Sequence, residues 1–166
     1  MSEAATAPHP LGDVFREVMA GVCTPVTVVT TFSGGRPLGT TVSAFASLSM
    51  APPMVVVSLD RRSDLLAALV EGTRLGVNVL GSTQAELAGG FARKGVDKFG
   101  GVDWHLESGA PRLDGSPGWL ACVVSRLVDG GDHVLVLAEV RQAETEPGPP
   151  LTYHARTFGT HLAAVR

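Results

Sequence analysis

The sequence predicts a mainly β protein, built as a closed antiparallel barrel with a few short flanking helices. Short β-branched runs recur along the chain, among them "VTVVTTF" at 26–32 and "RLGVNVL" at 74–80. Neighbouring runs are joined by turn sequences such as "SGGRP" and "DGGD", which favour hairpins. Hairpins pair strands antiparallel, whereas a doubly wound parallel sheet needs long crossover connections.

The first elements follow from hydrophobic spacing. Apolar residues recur at helical intervals over about 11–22, which indicates an amphipathic helix. The strand at 26–32 and a strand over 38–49 are expected to form a hairpin around "SGGRP". Another strand, 54–60, follows Pro52-Pro53. Ser63 as N-cap and a glycine at the end predict a helix over 63–72.

Turn chemistry divides the second half of the chain. We expect two long strands around "DGGD", and a loop rich in Gly, Lys, Asp and Pro before them. The expected elements are strand 74–80, helix 82–92, loop 93–117 with short strands near Trp104 and Arg112, strands 118–128 and 133–146, and a short strand about Tyr153 before a tail.

Composition restricts the class of protein. The chain has 166 residues, of which 45% are hydrophobic and 17% charged, enough for one domain with a sizeable core. We expect a flexible tail over 1–10 and a single domain over 11–166. The apolar content exceeds what one small barrel needs to bury, which favours a homodimer. A net charge of −3 without a basic block disfavours nucleic acid as a partner.

Several kinds of site are not supported by the sequence. The N-terminus lacks signal-peptide features and no apolar run approaches the length of a membrane span, so a soluble cytoplasmic protein is expected. No metal is expected, because no histidine pair stands at ligand spacing. Cys23 and Cys122 form neither a disulfide framework nor a CxxC site, and we interpret both as small buried hydrophobic residues.

The segment "GTTVSAFASLSM" (39–50) carries many hydroxyls within the most apolar part of the chain. On a single strand one face would hold Thr41, Ser43, Phe45, Ser47 and Ser49, and the other, core-facing, would hold Thr40, Val42, Ala44, Ala46 and Leu48. The hydroxyl face is either an ordinary exposed sheet face or a binding surface. Its lack of charge and its small side chains favour a planar ligand close to the backbone.

Missing motifs limit the chemistry. The chain has no G-x-G-x-x-G after a strand, no Walker loop, no G-x-S-x-G elbow and no obvious pair of catalytic carboxylates. An enzyme of this kind would leave the chemistry to a cofactor and mainly position it.

Five segments carry a family resemblance when taken in order: "GTTVSAFASLSMAPPMVVVSLDRRS", "GVNVL", "LAGGFARKGVDKFGG", "GGDHVLVLAEV" and "PLTYHARTFG". Over Phe15 to Gly159 the chain resembles the short-chain NAD(P)H:flavin reductases, the small components of two-component flavin monooxygenases. That family is similar to FMN-binding split β-barrels with Greek-key-like antiparallel strands, and is usually homodimeric with flavin sites at the interface. The resemblance implies NADH- or NADPH-dependent reduction of free FMN or FAD for a partner monooxygenase.

The resemblance also implies the residues that bind flavin. Lys98, and less directly Arg93, would hold the phosphate together with the helix start at Ser63, which is in any case an N-cap and a favoured anion site. Arg61 or Arg62 would add charge. The full implied set is Pro25, Val26, Thr40, Thr41, Val42, Ser43, Ala44, Ser47, Leu48, Ser49, Ser58, Leu59, Ser63, Arg93, Lys98 and Phe99.

His133 is the implied catalytic residue. It would contact the nicotinamide, with Tyr153, Arg156 and Phe158 bordering the same co-substrate. As alternatives, His133 is only the first residue of a strand, and the protein is a flavin-binding module without reductase turnover. An oxidase of the pyridoxine-phosphate type would need a strongly basic phosphate pocket, which the sequence does not indicate.

Overall fold

The computed structural model describes residues 10–95 and 97–164. Residues 1–9 of the predicted tail lie outside the described residues, and Pro10 already belongs to the first helix. The helices are α1 (Pro10–Ala20), α2 (Asp64–Ala67) and α3 (Ala85–Ala92). The strands are β1 (Thr24–Pro25), β2 (Thr27–Ser33), β3 (Arg36–Val42), β4 (Phe45–Met50), β5 (Pro53–Asp60), β6 (Arg74–Val79), β7 (Trp104–Glu107), β8 (Ala110–Leu113), β9 (Gly118–Gly130), β10 (His133–Thr145), β11 (Leu151–His154) and β12 (Thr157–Thr160).

Seven strands form one antiparallel sheet in the order β3-β2-β6-β9-β10-β5-β4. A three-stranded sheet, β1-β11-β12, and the β7–β8 hairpin lie beside it. None of the helices among the described residues is long and apolar enough to span a bilayer.

The large sheet curls around one core. A single cluster of buried side chains joins Val42 of β3, near one end of the strand order, to Val55 of β5, near the other end. The same cluster includes Val77 and Val136 from the middle of the sheet. A flat sheet of seven strands would not bring its two ends to one cluster, so the sheet is strongly coiled. The predicted fold class, mainly β and antiparallel with few helices, is confirmed.

The predicted strand over 38–49 is wrong in one respect, because it is two strands. The chain bends at Ser43-Ala44, where the Phe45 N–H donates to the Ser43 carbonyl (3.0 Å). β3 then pairs with β2, whereas β4 pairs with β5, at the other end of the strand order. Side-chain alternation does not continue through such a bend. As a result Ala44, Ala46 and Leu48 are exposed in this chain rather than part of its core.

Two helices are shorter than predicted. α2 is one turn long, because the Ala68 and Leu69 N–H groups close tight three-residue bonds after it. Gly72 then donates its N–H to Val124 of β9 (2.8 Å), which returns the chain to the sheet. α3 begins at Ala85, because the preceding residues are held in a turn by Gln84, whose side-chain oxygen accepts the Gly81 N–H (2.9 Å).

Three further details differ from the predictions. The expected C-terminal tail contains a strand, β12, paired with β11. Cys122 is buried as predicted, but Cys23 is exposed. The predicted amphipathic helix is present as α1, yet it buries no residue in this chain.

Candidate functional site

A groove of about 1070 Å³ lies along β3. Its opposite wall is Ser58–Asp60, the last part of β5, which extends beyond the first residue of β4. The start of α2 and the loop 92–100 complete the rim, with Val96 outside the described residues. The groove therefore occupies the gap between the two ends of the coiled sheet.

The edge of β3 that faces the groove carries no partner strand among those described. Pro37 lies opposite Phe32 in the β2–β3 register, and a proline has no N–H for the ladder. Because antiparallel ladders alternate, residues two and four positions later, Gly39 and Thr41, also direct their backbone groups away from β2. The Lys98 ammonium donates to the Gly39 carbonyl oxygen (3.1 Å), as this geometry requires.

The floor of the groove requires glycine at position 39. A Cβ there would stand 2.9 Å from Cε1 of Phe91 and 3.2 Å from Cζ of Phe99. The two phenyl rings pack edge to face with centroids 4.9 Å apart. The Thr41 hydroxyl donates to the Ala88 carbonyl (2.6 Å), which fixes α3 against β3. The Thr41 hydroxyl therefore donates its hydrogen bond within the protein and not to a ligand.

Five cationic side chains line the groove: Arg36, Arg62, Arg93, Lys94 and Lys98. Three acidic side chains also line it: Asp60, Asp64 and Asp97. The surplus of positive charge favours an anionic ligand.

Two of the acids are already engaged within the protein. The Arg62 guanidinium binds Asp60 (2.9 Å) and holds the pKa of that carboxyl well below its usual range. Asp97 accepts the N–H groups of Phe99 (3.1 Å) and Gly100 (3.3 Å). These contacts leave the cations of the 93–98 loop available to a ligand.

Lys98 is the most constrained of these cations. Burial lowers the pKa of its ammonium, and within the described part of the chain no carboxylate lies at ion-pair distance from it. Ser63 caps α2 beside it, accepting the Leu66 N–H (3.4 Å). A half-buried ammonium that lacks an anionic partner gains most from a bound phosphate.

His133 begins β10 at the groove wall, directly opposite Asp60 of β5. Its imidazole is 42% exposed, and Nδ1 lies 2.7 Å from the Asp132 carboxylate. The hydrogen bond to His133 lowers the pKa of Asp132. Since a carboxylate only accepts, Nδ1 carries the hydrogen and Nε2 is left for a ligand. Arg61 does not line the groove, because it binds Asp129 (2.6 Å).

Twelve of the predicted site residues line this one groove: Thr40, Thr41, Val42, Ser43, Ala44, Ser58, Leu59, Ser63, Arg93, Lys98, Phe99 and His133. The other eight lie elsewhere in the chain. Pro25 is exposed on β1, and Val26 is buried in a second core with both backbone groups paired. The remaining six lie outside the groove in two sets: Ser47, Leu48 and Ser49 on β4, and Tyr153, Arg156 and Phe158 on the β11–β12 hairpin. All of them except the half-buried Ser49 are exposed.

The sequence reading missed part of the groove. The sequence indicates Arg36 only as part of the turn "SGGRP", and Gly39 only as the first residue of the hydroxyl-rich segment 39–50. The cations of the groove are scattered in the sequence and converge only in the fold, so that no basic block in the sequence indicates them. A glycine inside a β-branched run is the one signal that would have indicated a close approach at Gly39.

Residues 19–161 match the flavin reductase like domain. The chain belongs to the flavin reductase like family. The reductase component of 4-nitrophenol 4-monooxygenase/4-nitrocatechol 2-monooxygenase from Rhodococcus opacus is 39% identical over 145 residues, which is 87% of this chain and 78% of that protein.

Solved structures agree with this assignment. The NADH:FAD oxidoreductase of Streptomyces globisporus superposes with a TM-score of 0.86 at 34% identity, covering 97% of this chain and 99% of that one. Component B of nitrilotriacetate monooxygenase from Mycobacterium thermoresistibile gives 0.84 at 32% identity, covering 93% and 92%. The predicted family and enzyme class are confirmed: the chain is a flavin reductase.

Proposed function

We propose that this flavin reductase uses NADH or NADPH to reduce free FMN or FAD, and releases the reduced flavin to a separate monooxygenase. Relatives named as reductase components of monooxygenases support the partner, among them one from Mycobacterium tuberculosis that is 37% identical over 150 residues. Relatives named as an NADH-dependent FMN reductase and an NADH-dependent FAD reductase support the reaction.

The observation that carries the proposal is the donor set of the groove. The free edge of β3 offers the backbone N–H groups of Gly39 and Thr41, and Thr40 and Ser43 add hydroxyls. These groups suit the hydroxylated chain and polar ring edge of a flavin, and the loop cations suit its phosphate. The residues present therefore fit a flavin, with the phosphate held by Lys98, Arg93 and the N-cap at Ser63.

The flavin supplies the chemistry when it is bound, because its ring accepts the hydride of the nicotinamide. The protein's contribution is to hold the two rings together, which removes an entropic cost. Val42, Ala44 and Leu59 line the groove without adding charge. Neutral contacts of this kind fit a ligand that must be released after reduction.

His133 is proposed to orient the nicotinamide. Asp132 fixes its ring through Nδ1, so that Nε2 is available to accept a hydrogen bond from a carboxamide. The position of His133 at the groove wall, beside the end of β5, supports this role.

A homodimer is part of the same proposal. α1 exposes Leu11, Val14, Phe15 and Val18, each more than half, and an eleven-residue helix without packing is marginal in water. A second copy is the occupant we propose for this apolar face. The same arrangement would allow the predicted contacts on β4 and on the β11–β12 hairpin to reach flavin or nicotinamide from the partner subunit. We place the protein in the cytoplasm, where a nicotinamide supply is available.

The direct test mixes the purified protein with each pairing of FMN or FAD with NADH or NADPH and follows the nicotinamide absorbance. Turnover that saturates in both substrates is expected. Flavin binding without nicotinamide oxidation would instead make the protein a binding module. A second protein that binds flavin but does not react with it is then added in excess. Reduced flavin that is released passes to that protein, whereas retained flavin does not.

A further inference from the structure

The groove continues past the place proposed for the phosphate. Lys98 meets β3 at Gly39, whereas the lining extends three residues further, to Arg36 at the start of the strand. Three residues of β-strand span about 10 Å. A flavin mononucleotide with its ring beside Ser43 and its phosphate at Lys98 would leave this end of the groove vacant.

The chemistry of that end differs from the rest. It has no hydroxyl side chain in the lining; it offers Pro37, which has no N–H, and the planar guanidinium of Arg36. No carboxylate in the described ranges lies at ion-pair distance from Arg36. Pro37 and Leu38 give this end of the groove an apolar lining. A free guanidinium beside apolar surface suits a second phosphate and a stacked purine.

We infer that Arg36 determines the preference for a dinucleotide flavin, by binding the adenylate half of FAD at the end of the groove beyond Lys98. This inference rests on the proposed function, since it presumes that the phosphate of the flavin lies near Lys98. FMN ends at Lys98 and does not reach Arg36. The two cations therefore have separable effects, although both line one groove.

The same chemistry has a second source, because NADH also carries an adenosine diphosphate. A position on β3, the strand that is proposed to hold the flavin, favours the flavin. The nicotinamide is proposed at His133, on the opposite wall of the groove. Binding of flavin measured without any nicotinamide distinguishes the two sources.

The experiment is a fluorescence titration of riboflavin, FMN and FAD into the wild-type protein and four variants. Arg36→Ala is expected to lower the affinity for FAD about tenfold and to leave the affinities for FMN and riboflavin unchanged. Lys98→Ala is expected to lower the affinities for FMN and FAD equally. The affinity for riboflavin, which has no phosphate, should not change. Arg126→Ala, an exposed arginine on β9 outside the groove, is the matched control and should change none of the three. Arg36→Lys, which keeps the charge but not the planar group, should restore part of the FAD affinity.

The possible outcomes are distinct. If Arg36→Ala lowers the affinities for FMN and FAD equally, the inference is overturned. It is also overturned if neither affinity changes. An unchanged FAD affinity with a raised KM for NADH, measured with FMN as acceptor, would assign Arg36 to the nicotinamide dinucleotide instead. If the wild-type protein binds none of the three flavins, the proposed function itself fails. Unfolding curves of Arg36→Ala and Arg126→Ala that match the wild type exclude a loss of folded protein.

Discussion

β3 and β4 come from one continuous hydroxyl-rich segment, yet they meet different surroundings. β3 lines the groove, and its outer edge presents backbone donors beside Lys98. β4 lies at the other end of the strand order and exposes Leu48 and Met50. Similar composition therefore does not imply a similar role; what differs is which strand each half pairs with and what covers its free edge.

The difference is physical rather than compositional. In β3, a glycine allows Phe91 and Phe99 to approach the backbone, and Thr41 ties the strand to α3. In β4 most side chains are exposed, and a register shift between Ser47 and Ser49 interrupts its pairing with β5. We interpret β3 as a site element that acts within one chain, and β4 as a surface that acts through a second copy.

Substitution of Gly39 should have the largest effect, because it disrupts the β3 half of the comparison. Gly39→Ala places a Cβ 2.9 Å from the ring of buried Phe91, and such overpacking costs about 1–3 kcal/mol. We expect a lower urea midpoint together with loss of flavin affinity. Gly89→Ala in α3 is the control, because no atom lies within 4 Å of the added Cβ and alanine favours a helix by about 0.5–1 kcal/mol. Equal stability of Gly39→Ala and wild type would show that β3 is not held against α3.

Lys98 should determine how the β3 site depends on pH. Burial lowers the pKa of Lys98, so the ammonium loses its proton at a lower pH than an ordinary lysine does. The protonated form binds phosphate, so FMN affinity is expected to be highest below that lowered pKa and to fall as pH rises through it. A charge-assisted contact contributes about 1.5–3 kcal/mol, which is roughly a 10–150-fold change in affinity.

The measurement is the Kd for FMN from about pH 7 to about pH 11, with riboflavin as the control for titration of the ring itself. Lys98→Arg should remain flat over this range, since a guanidinium stays charged. A wild-type profile identical to that of Lys98→Arg would remove Lys98 from the phosphate site.

His133 tests whether the far wall of the groove serves the second substrate. His133→Ala should raise the KM for NADH about 2–10-fold, the equivalent of one ordinary hydrogen bond, and leave flavin affinity intact. Stopped-flow flavin reduction at several NADH concentrations measures this. A variant with lower stability but wild-type kinetics would make His133 a structural residue of the hairpin.

How far the sequence predicts this molecule depends on whether a feature is local. Helix α1 and the β9–β10 hairpin were predictable, because spacing and "DGGD" are encoded within a few residues. The bend at Ser43 was not predictable, because no residue near it indicates that β4 pairs with β5 instead of continuing β3. The Arg36 end of the groove was not either, because its basic wall is assembled from segments that only the fold brings together.

The smallest expected effect belongs to β4, and it decides whether the comparison holds. Ser47 does not line the groove of its own chain, so any contact with flavin requires the partner subunit. Ser47→Ala should then weaken FMN binding by at most one neutral hydrogen bond, which is about 0.5–1.5 kcal/mol of binding free energy. This loss should appear only at protein concentrations where the homodimer is populated. The loss caused by Lys98→Ala should appear at every concentration, because Lys98 acts within one chain. Titrations of both variants above and below the dimer dissociation constant, which light scattering supplies, separate the two. A concentration-independent loss in Ser47→Ala would place β4 at the groove of its own chain and end the distinction between the two halves of the segment.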